Sequence, residues 1–378
     1  MNFSQPSITE LEEKYVIDAM RTSRLSGDGK YTKRVYEIFR ERFGVEDMLL
    51  TTSGTAALEM AALLIGLEPG DEVIAPSFTF SSTINAFLLR GARPVFCDIR
   101  PDTFNIDEEK IEALITPKTK AIYCVNYAGV SCEMDRINEI AERHGLFVVE
   151  DAAQSVGSTY KGKPSGTLSE LGCHSFHETK NYVMGEGGAI VLNEKKFIER
   201  AEIIREKGTD RSKLLRGVVD KYTWRDIGSS YLPSDVLAAM LTAQLERFDE
   251  IMEKRMSIWN FYQENLIDAE RAEKLRRPII PGHVTHNGHM YNILMPSEAA
   301  RIWLSDELRK LDIPAYICYV PLHSAPMGRK LGYVPEDCPV TEELGHRLLR
   351  LPLSARLTTA DAAEVVERIN QLLSKMPV

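Results

Sequence analysis

The sequence lacks most of the short signatures that would assign it at a glance. Its six cysteines (Cys97, Cys124, Cys132, Cys173, Cys318 and Cys338) form no CxxC pair and no metal-ligand spacing. That spacing predicts no metal site and reduced, structural thiols, as in a cytoplasmic protein. No run approaches the roughly 18 apolar residues of a membrane-spanning helix, so no membrane association is expected. The N-terminal MNFSQPSITELEE is polar and acidic, unlike a signal peptide. Cations are outnumbered, 46 Lys and Arg against 55 Asp and Glu, for a net charge of −9. That balance argues against a general nucleic-acid binder. No GxGxxG follows a strand, which disfavours a nicotinamide enzyme. Internal repeats and low-complexity linkers are also missing.

What is present is a long alternation of short apolar runs and helical periodicity. A chain of 378 residues exceeds one ordinary core, so two domains are expected. Strands are read at MLLTT (48–52), DEVIAP (71–76), RPVFCDI (93–99), TKAIYCV (119–125) and FVVED (147–151). Helices are read at 55–66, 82–91, 105–115 and 134–145 between them. This order predicts an α/β fold with a mostly parallel sheet covered on both faces. CHSFHE (173–178) and GAIVLN (188–193) add two strands. After about 235 the pattern turns helical, then HMYNILM (289–295) and IPAYICYV (313–320) read as strands of a smaller α+β domain. The expected division is 1–248 and 249–378.

Ligands of open α/β sheets lie beyond the carboxyl ends of the strands, and the informative residues fall there. Asp151 ends FVVED, and Lys180 follows 29 positions later in HSFHETKNYVMGEGG. A lysine that forms a Schiff base and a carboxylate that holds a ring nitrogen are the fixed parts of a pyridoxal phosphate (PLP) site. Each alone has an ordinary explanation: most lysines are solvated, and an Asp after a strand caps helices. Ser53-Gly54-Thr55-Ala56 opens a helix after the first strand, where backbone amides bind phosphate; an ordinary N-cap leaves the same signature. Of the aromatics in PSFTF, Phe80 is the one favoured to lie on a pyridine ring. Gln154 follows Asp151, and Ser175 stands within reach of a phosphate five residues before Lys180. GEGG (185–188) precedes a strand rather than a helix, so it lets backbone pass close to a cofactor or a partner subunit.

Together these segments resemble the DegT/DnrJ/EryC1/StrS sugar aminotransferases, over essentially the whole chain. The resemblance runs through LSGDG, TSGTAALEMAAL, PGDEVIAPSFTF, GARPVFCDI, VVEDAAQ, HETKN with GEGG, YVPLH and LLRLPL. It implies fold type I of the PLP enzymes and a homodimer with sites at the interface. A narrower resemblance, through NYAGVSCEMD, SFHETKNY, ERAEIIREKGTDRS and VDKYTWRDIGSSYLPSD, is to the branch that makes dTDP-4-amino-4,6-dideoxygalactose.

Carried over, the resemblance makes Lys180 the Schiff-base lysine and Asp151 the partner of the pyridinium nitrogen. Gln154 would contact the phenolic oxygen, and Phe80 would stack on the ring. Gly54, Thr55, Ala56 and Ser175 would surround the phosphate. Asn126, Tyr182, Arg211 and His323 are substrate candidates. Many family members carry His where this chain has Asn126. Many also place Asn after a Tyr as a phosphate ligand from the second subunit; Leu232 stands there in SSYLPSD, which moves that contact to Ser229 or to backbone. Arg211, Lys213 and Arg216, with Lys207 and Lys221, form the densest basic run for a nucleotide diphosphate, although such runs are commonly solvated.

The implied reaction uses L-glutamate, leaves pyridoxamine phosphate (PMP), then aminates dTDP-4-keto-6-deoxyglucose. The choice of C4 rests on resemblance alone; a 3-keto sugar aminotransferase of the same family is the alternative. A branch of dehydratases replaces the lysine with histidine, which Lys180 argues against. A silent PLP-binding protein is disfavoured by the retention of both Lys180 and Asp151.

Overall fold

The computed structural model describes residues 2–22 and 25–376. Seven apolar runs form one sheet: β1 (Met48–Thr51), β2 (Glu72–Pro76), β3 (Arg93–Cys97), β4 (Thr119–Val125), β5 (Phe147–Asp151), β6 (Leu171–Ser175) and β7 (Gly188–Leu192). Their spatial order is β1-β7-β6-β5-β4-β2-β3. From β3 to β6 all pairs are parallel, and β7 is antiparallel to both β6 and β1. The central strands are buried almost throughout, as continuous Val, Ile and Ala runs require when helices cover both faces.

The principal helices are α1 (Glu10–Arg21), α2 (Lys30–Phe43), α3 (Gly54–Leu64), α4 (Ser81–Leu88), α5 (Met134–His144), α6 (Asp235–Glu246), α7 (Phe248–Asn265), α8 (Glu298–Lys310) and α9 (Thr359–Leu373). A capping box at Thr9 and Glu12 starts α1. Asp235 at the start of α6 accepts the amides of Tyr31 and Thr32 and the Thr32 hydroxyl, which pins α2 to α6. Gly145 ends α5 in the left-handed conformation at φ 64°, the role its position in the sequence predicts. Among the described residues no helix is long and apolar enough to cross a membrane.

A second core gathers Tyr291, Ile293, Leu304, Leu349, Leu351 and Val365 around a two-stranded sheet, β8 (Tyr291–Leu294) with β9 (Leu348–Leu351). Helix α7 passes through the junction. Phe248 and Ile251 pack into the core of the large sheet, while Ile258, Trp259 and Tyr262 pack into the second. We propose the domain division at 248/249, at the head of this helix.

Two expected elements differ. IPAYICYV is not a strand: only Tyr316 pairs, with Arg350 of β9, in both directions at 3.1 and 2.8 Å. Its remainder is held by side chains, with the Tyr127 hydroxyl donating to the Cys318 carbonyl at 2.8 Å. The stretch 105–115 is helical only over Glu108–Ile111, followed by a 3-10 turn at Glu112–Leu114. Asn105 is buried and bonded to Val130 and Tyr127, so the chain bends there and the helix starts only after the Asp107 cap.

Candidate active site

Strand register gathers the distant motifs at one edge. Asp151 lies opposite Val125 and Cys173, and Ser175 lies opposite Gly188, which in turn faces Thr51. The carboxyl ends of β4, β5, β6 and β1 therefore share one border of the sheet. There they open into a cavity of about 480 Å³, lined by Gly54, Thr55, Phe80, Asp151, Gln154, Ser175 and Lys180 among others. That size suits a small organic ligand.

One end of the cavity is an anion cradle. Ser53 caps α3, its Oγ accepting the Ala56 amide at 3.0 Å. Gly54 and Thr55, the first helical residues, have amides with no intrahelical acceptor, at the positive end of the helix dipole. Thr55 Oγ1 and Ser82 Oγ are 2.7 Å apart, and both residues line the cavity. A Cβ on Gly54 would sit 2.8 Å from Ser175 Cβ, so only glycine lets α3 approach β6 this closely. Gly188, the last residue of GEGG, is constrained in the same way, since a Cβ there would meet the Gly54 amide nitrogen at 2.5 Å; the close approach it makes is to this chain's own α3.

Asp151 is buried, and burial raises its pKa, opposed by hydrogen bonds from the Thr83 hydroxyl and the Ala153 amide and by the charge of Lys180. The Lys180 amine is pushed down to about 8, first by burial; Asp151 opposes the shift and Arg350 adds to it. The amine is thereby made available as a nucleophile and a base near neutral pH. Phe80 presents a ring that is 58% exposed beside Tyr319, with centroids 6.1 Å apart. Gln154 Nε2 donates to the Tyr319 hydroxyl at 2.8 Å, and Gln154 Oε1 accepts the Ala128 amide at 2.7 Å. An anion cradle, a buried carboxylate, an open aromatic face and a weakly basic amine are the donor set that a phosphorylated pyridine aldehyde requires.

Several expected residues lie elsewhere. Ala56 does not line the cavity, and its amide is taken by the Ser53 cap. Asn126 is fully buried, donating to Glu150 at 2.9 Å and accepting the Cys132 amide at 3.0 Å, so it braces the strand end from behind. Tyr182 stacks on Phe248 with centroids 4.6 Å apart and is core. His323 is fully buried, 2.6 Å from the Ser77 hydroxyl and outside the cavity. Arg211 pairs with Glu206, and Lys213 and Arg216 pair with Glu199 and Glu202, outside this chain's own cavity. Ser229 is exposed, also outside it.

The cavity also holds residues that motif reading missed: Tyr319, His289 and Arg350, all from the C-terminal third. Tyr319 and Arg350 stand inside the family segments YVPLH and LLRLPL, the only signal the sequence offered. His289 donates from Nδ1 to the Asn181 side-chain oxygen at 2.9 Å, and burial first, then Lys180, Arg350 and Arg255, hold its pKa well below the usual value. It is a neutral imidazole.

The profile of the DegT/DnrJ/EryC1/StrS aminotransferase family matches residues 6–370. GDP-perosamine synthase of Caulobacter vibrioides is 34% identical over 375 residues, covering 99% of this chain and 98% of the relative. GDP-perosamine synthase of Escherichia coli O157:H7 is 32% identical, covering 98% of each chain. Among solved structures, the PLP form of Spr1654 from Streptococcus pneumoniae superposes with a TM-score of 0.92 at 26% identity, covering 100% of both chains. Its PMP form gives 0.93 at the same identity over 99% of both. The chain belongs to the DegT/DnrJ/EryC1/StrS aminotransferase family and is a PLP-dependent sugar aminotransferase.

Proposed function

We propose that the protein transfers an amino group from L-glutamate to the keto group of a nucleotide-linked deoxysugar, dTDP-4-keto-6-deoxyglucose, to give dTDP-4-amino-4,6-dideoxygalactose. The observation that carries amino transfer is the placement of Lys180 and Asp151 in one cavity with the α3 cradle. The narrower resemblance of SFHETKNY and its companion segments supports the sugar. A second reading, a GDP-linked sugar, is favoured by the names of the two relatives.

When bound, PLP supplies an electron sink joined to the substrate nitrogen. The chain's own residues do the rest. Asp151, held by Thr83 and Ala153, keeps the pyridine nitrogen protonated. Lys180 takes a proton from the donor α-carbon and returns one in the second half-reaction, as an amine whose pKa near 8 suits both directions. The α3 amides, Thr55 and Ser175 hold the phosphate, and Phe80 covers the ring.

The proposal includes a homodimer in which Ser229 or nearby backbone reaches the partner's phosphate site. The segment between Leu215 and Ile227 supports it. Trp224 is 82% exposed there, and Leu215, Val218, Tyr222 and Ile227 are also exposed, an apolar surface that a second subunit would cover.

The test is a visible absorption spectrum of the protein with PLP, followed by glutamate and then by keto sugars. Glutamate should bleach the band of the lysine-linked cofactor, and the dTDP-linked 4-keto sugar should restore it. Restoration only by a GDP-linked sugar selects the second reading, and restoration only by a 3-keto sugar removes C4. A band that glutamate leaves unchanged refutes glutamate as donor.

A further inference from the structure

Gln154 is held at both ends of its side chain. Oε1 accepts the Ala128 amide at 2.7 Å, and Nε2 donates to the Tyr319 hydroxyl at 2.8 Å. Its main-chain carbonyl accepts from Asn287 Nδ2 at 2.9 Å. A backbone N–H can only donate, so the side-chain oxygen must face Ala128 and the nitrogen must face away from it. Nε2 carries two protons. Tyr319 takes one, and the other remains for a ligand in the cavity that Gln154 lines.

The amide that sets this orientation is itself placed at a cost. Ala128 stands at φ 56° and ψ 17°, the left-handed region that a Cβ disfavours. The turn around it, Tyr127–Gly129, is tied down on every side. The Asn126 amide donates to the Asp151 carbonyl at 3.1 Å, and the Gly129 amide donates to the Asn126 carbonyl at 3.3 Å. The Tyr127 amide donates to Asn105 Oδ1 at 3.0 Å. The Asn126 side chain closes the loop: Oδ1 accepts the Cys132 amide at 3.0 Å, and Nδ2 donates to Glu150 Oε2 at 2.9 Å. Asn126 and Glu150 are both fully buried. Backbone strain persists only where the surroundings over-determine it. Here they over-determine one N–H, and that N–H meets the oxygen of Gln154.

Resting on the reading of this cavity as the PLP site, we propose that Ala128, held left-handed by the Asn126–Glu150 brace, is a positioning residue that fixes Gln154 as a hydrogen-bond donor to the phenolic oxygen of the cofactor. The brace touches neither cofactor nor substrate and acts through Gln154 alone. A donor on that oxygen stabilises the negative charge it carries. The pH at which the linked Lys180 nitrogen gives up its proton is thereby lowered.

The experiment titrates the visible band of the lysine-linked cofactor with pH, with no amino donor present, and records the melting temperature of each variant. Gln154→Leu removes the donor, so the midpoint should rise by about one to two pH units, the effect of one hydrogen bond to a charged group. Asn126→Ala cuts the brace and should raise the midpoint by a smaller amount. Glu150→Leu cuts it from the other side and should do the same, so the test does not depend on one variant folding. Glu150→Gln keeps an acceptor for Asn126 and should retain the wild-type midpoint. Ala128→Gly relieves the left-handed strain and keeps the amide, so it should retain the midpoint without a fall in melting temperature. Asn126→Ala combined with Gln154→Leu should titrate like Gln154→Leu alone, because the brace then has nothing to act through. Two shifts that add in the double variant overturn the proposal. So does a lower melting temperature with an unmoved midpoint in both brace variants, which marks the brace as structural only. A wild-type protein that shows no band with PLP overturns the cofactor reading and this inference together.

Discussion

Thr83 donates its hydroxyl proton to Asp151 Oδ2 at 2.7 Å, with Thr79 Oγ1 2.8 Å behind it. Burial favours the neutral acid, and this bond favours the carboxylate. Thr83→Val keeps the shape and removes the bond. The acidic limb of the pH–rate profile should move to higher pH, with a loss on the order of tenfold at neutral pH, because one hydrogen bond to a charged group is worth about 1.5–3 kcal/mol. Thr83→Ser should restore the profile. An unchanged limb in the valine variant would show that Thr83 does not hold the carboxylate.

Lys180→Ala should abolish amino transfer while the cradle still binds PLP or PMP without a covalent link. Equilibrium dialysis and single-turnover spectra check the two halves separately. Near-normal turnover would remove Lys180 from the chemistry.

The Lys180 amine is pushed down to about 8 from 10.5, so cofactor-free protein should take up PLP at a rate that climbs with pH, is half-maximal near 8 and levels above it. Stopped-flow absorbance reads this directly. In Asp151→Asn the opposing charge is gone, so the plateau should begin at lower pH. The linkage has a matching sign. The folded state has already released a proton that the unfolded chain keeps between about pH 8 and 10.5, so the cofactor-free fold should gain stability as pH rises through that window. A midpoint near 10.5 would contradict burial as the cause.

Gly54→Ala would place a Cβ 2.8 Å from Ser175 Cβ and 3.2 Å from its Oγ. Overpacking of this kind costs about 1–3 kcal/mol. The strain falls on the cradle, so PLP should dissociate on the order of 10- to 100-fold more readily, with a smaller change in melting temperature. Cofactor affinity equal to wild type would place the phosphate elsewhere.

The cofactor half of the site was legible because parallel strands align their carboxyl ends. FVVED and HSFHE are parallel neighbours, and MLLTT runs the same way one strand further on, beyond antiparallel β7, so Asp151, Ser175 and Gly54 share a border. The second half was not legible by this route. Tyr319 and Arg350 sit in a segment that reads as a strand but is held by Tyr127 and a single pair of backbone bonds, and in a strand that the sequence pattern did not reveal. Residue type also misled. Tyr182 and His323 stand inside family segments, yet both are almost completely enclosed by the protein, and burial of one particular Tyr or His is decided by its packing partners, Phe248 and Ser77. Helices α1 and α2 went unread although α2 carries Tyr31, Val35, Ile38 and Phe39 at helical spacing on the face that packs toward α6; their many charged residues masked that stripe.

Helix α7 carries a further consequence. Its first turn belongs to one core and its third to the other, with no break between them. The two walls of the cavity are thus phased by a single screw. Deleting one residue between Ile251 and Ile258 would turn everything downstream by about 100° and draw it in by about 1.5 Å. Each core could remain folded, yet Tyr319 and Arg350 would no longer face Lys180. For any chimera that joins this chain's cofactor half to another protein's C-terminal third, the length of that helix must be conserved to the residue, whatever its sequence.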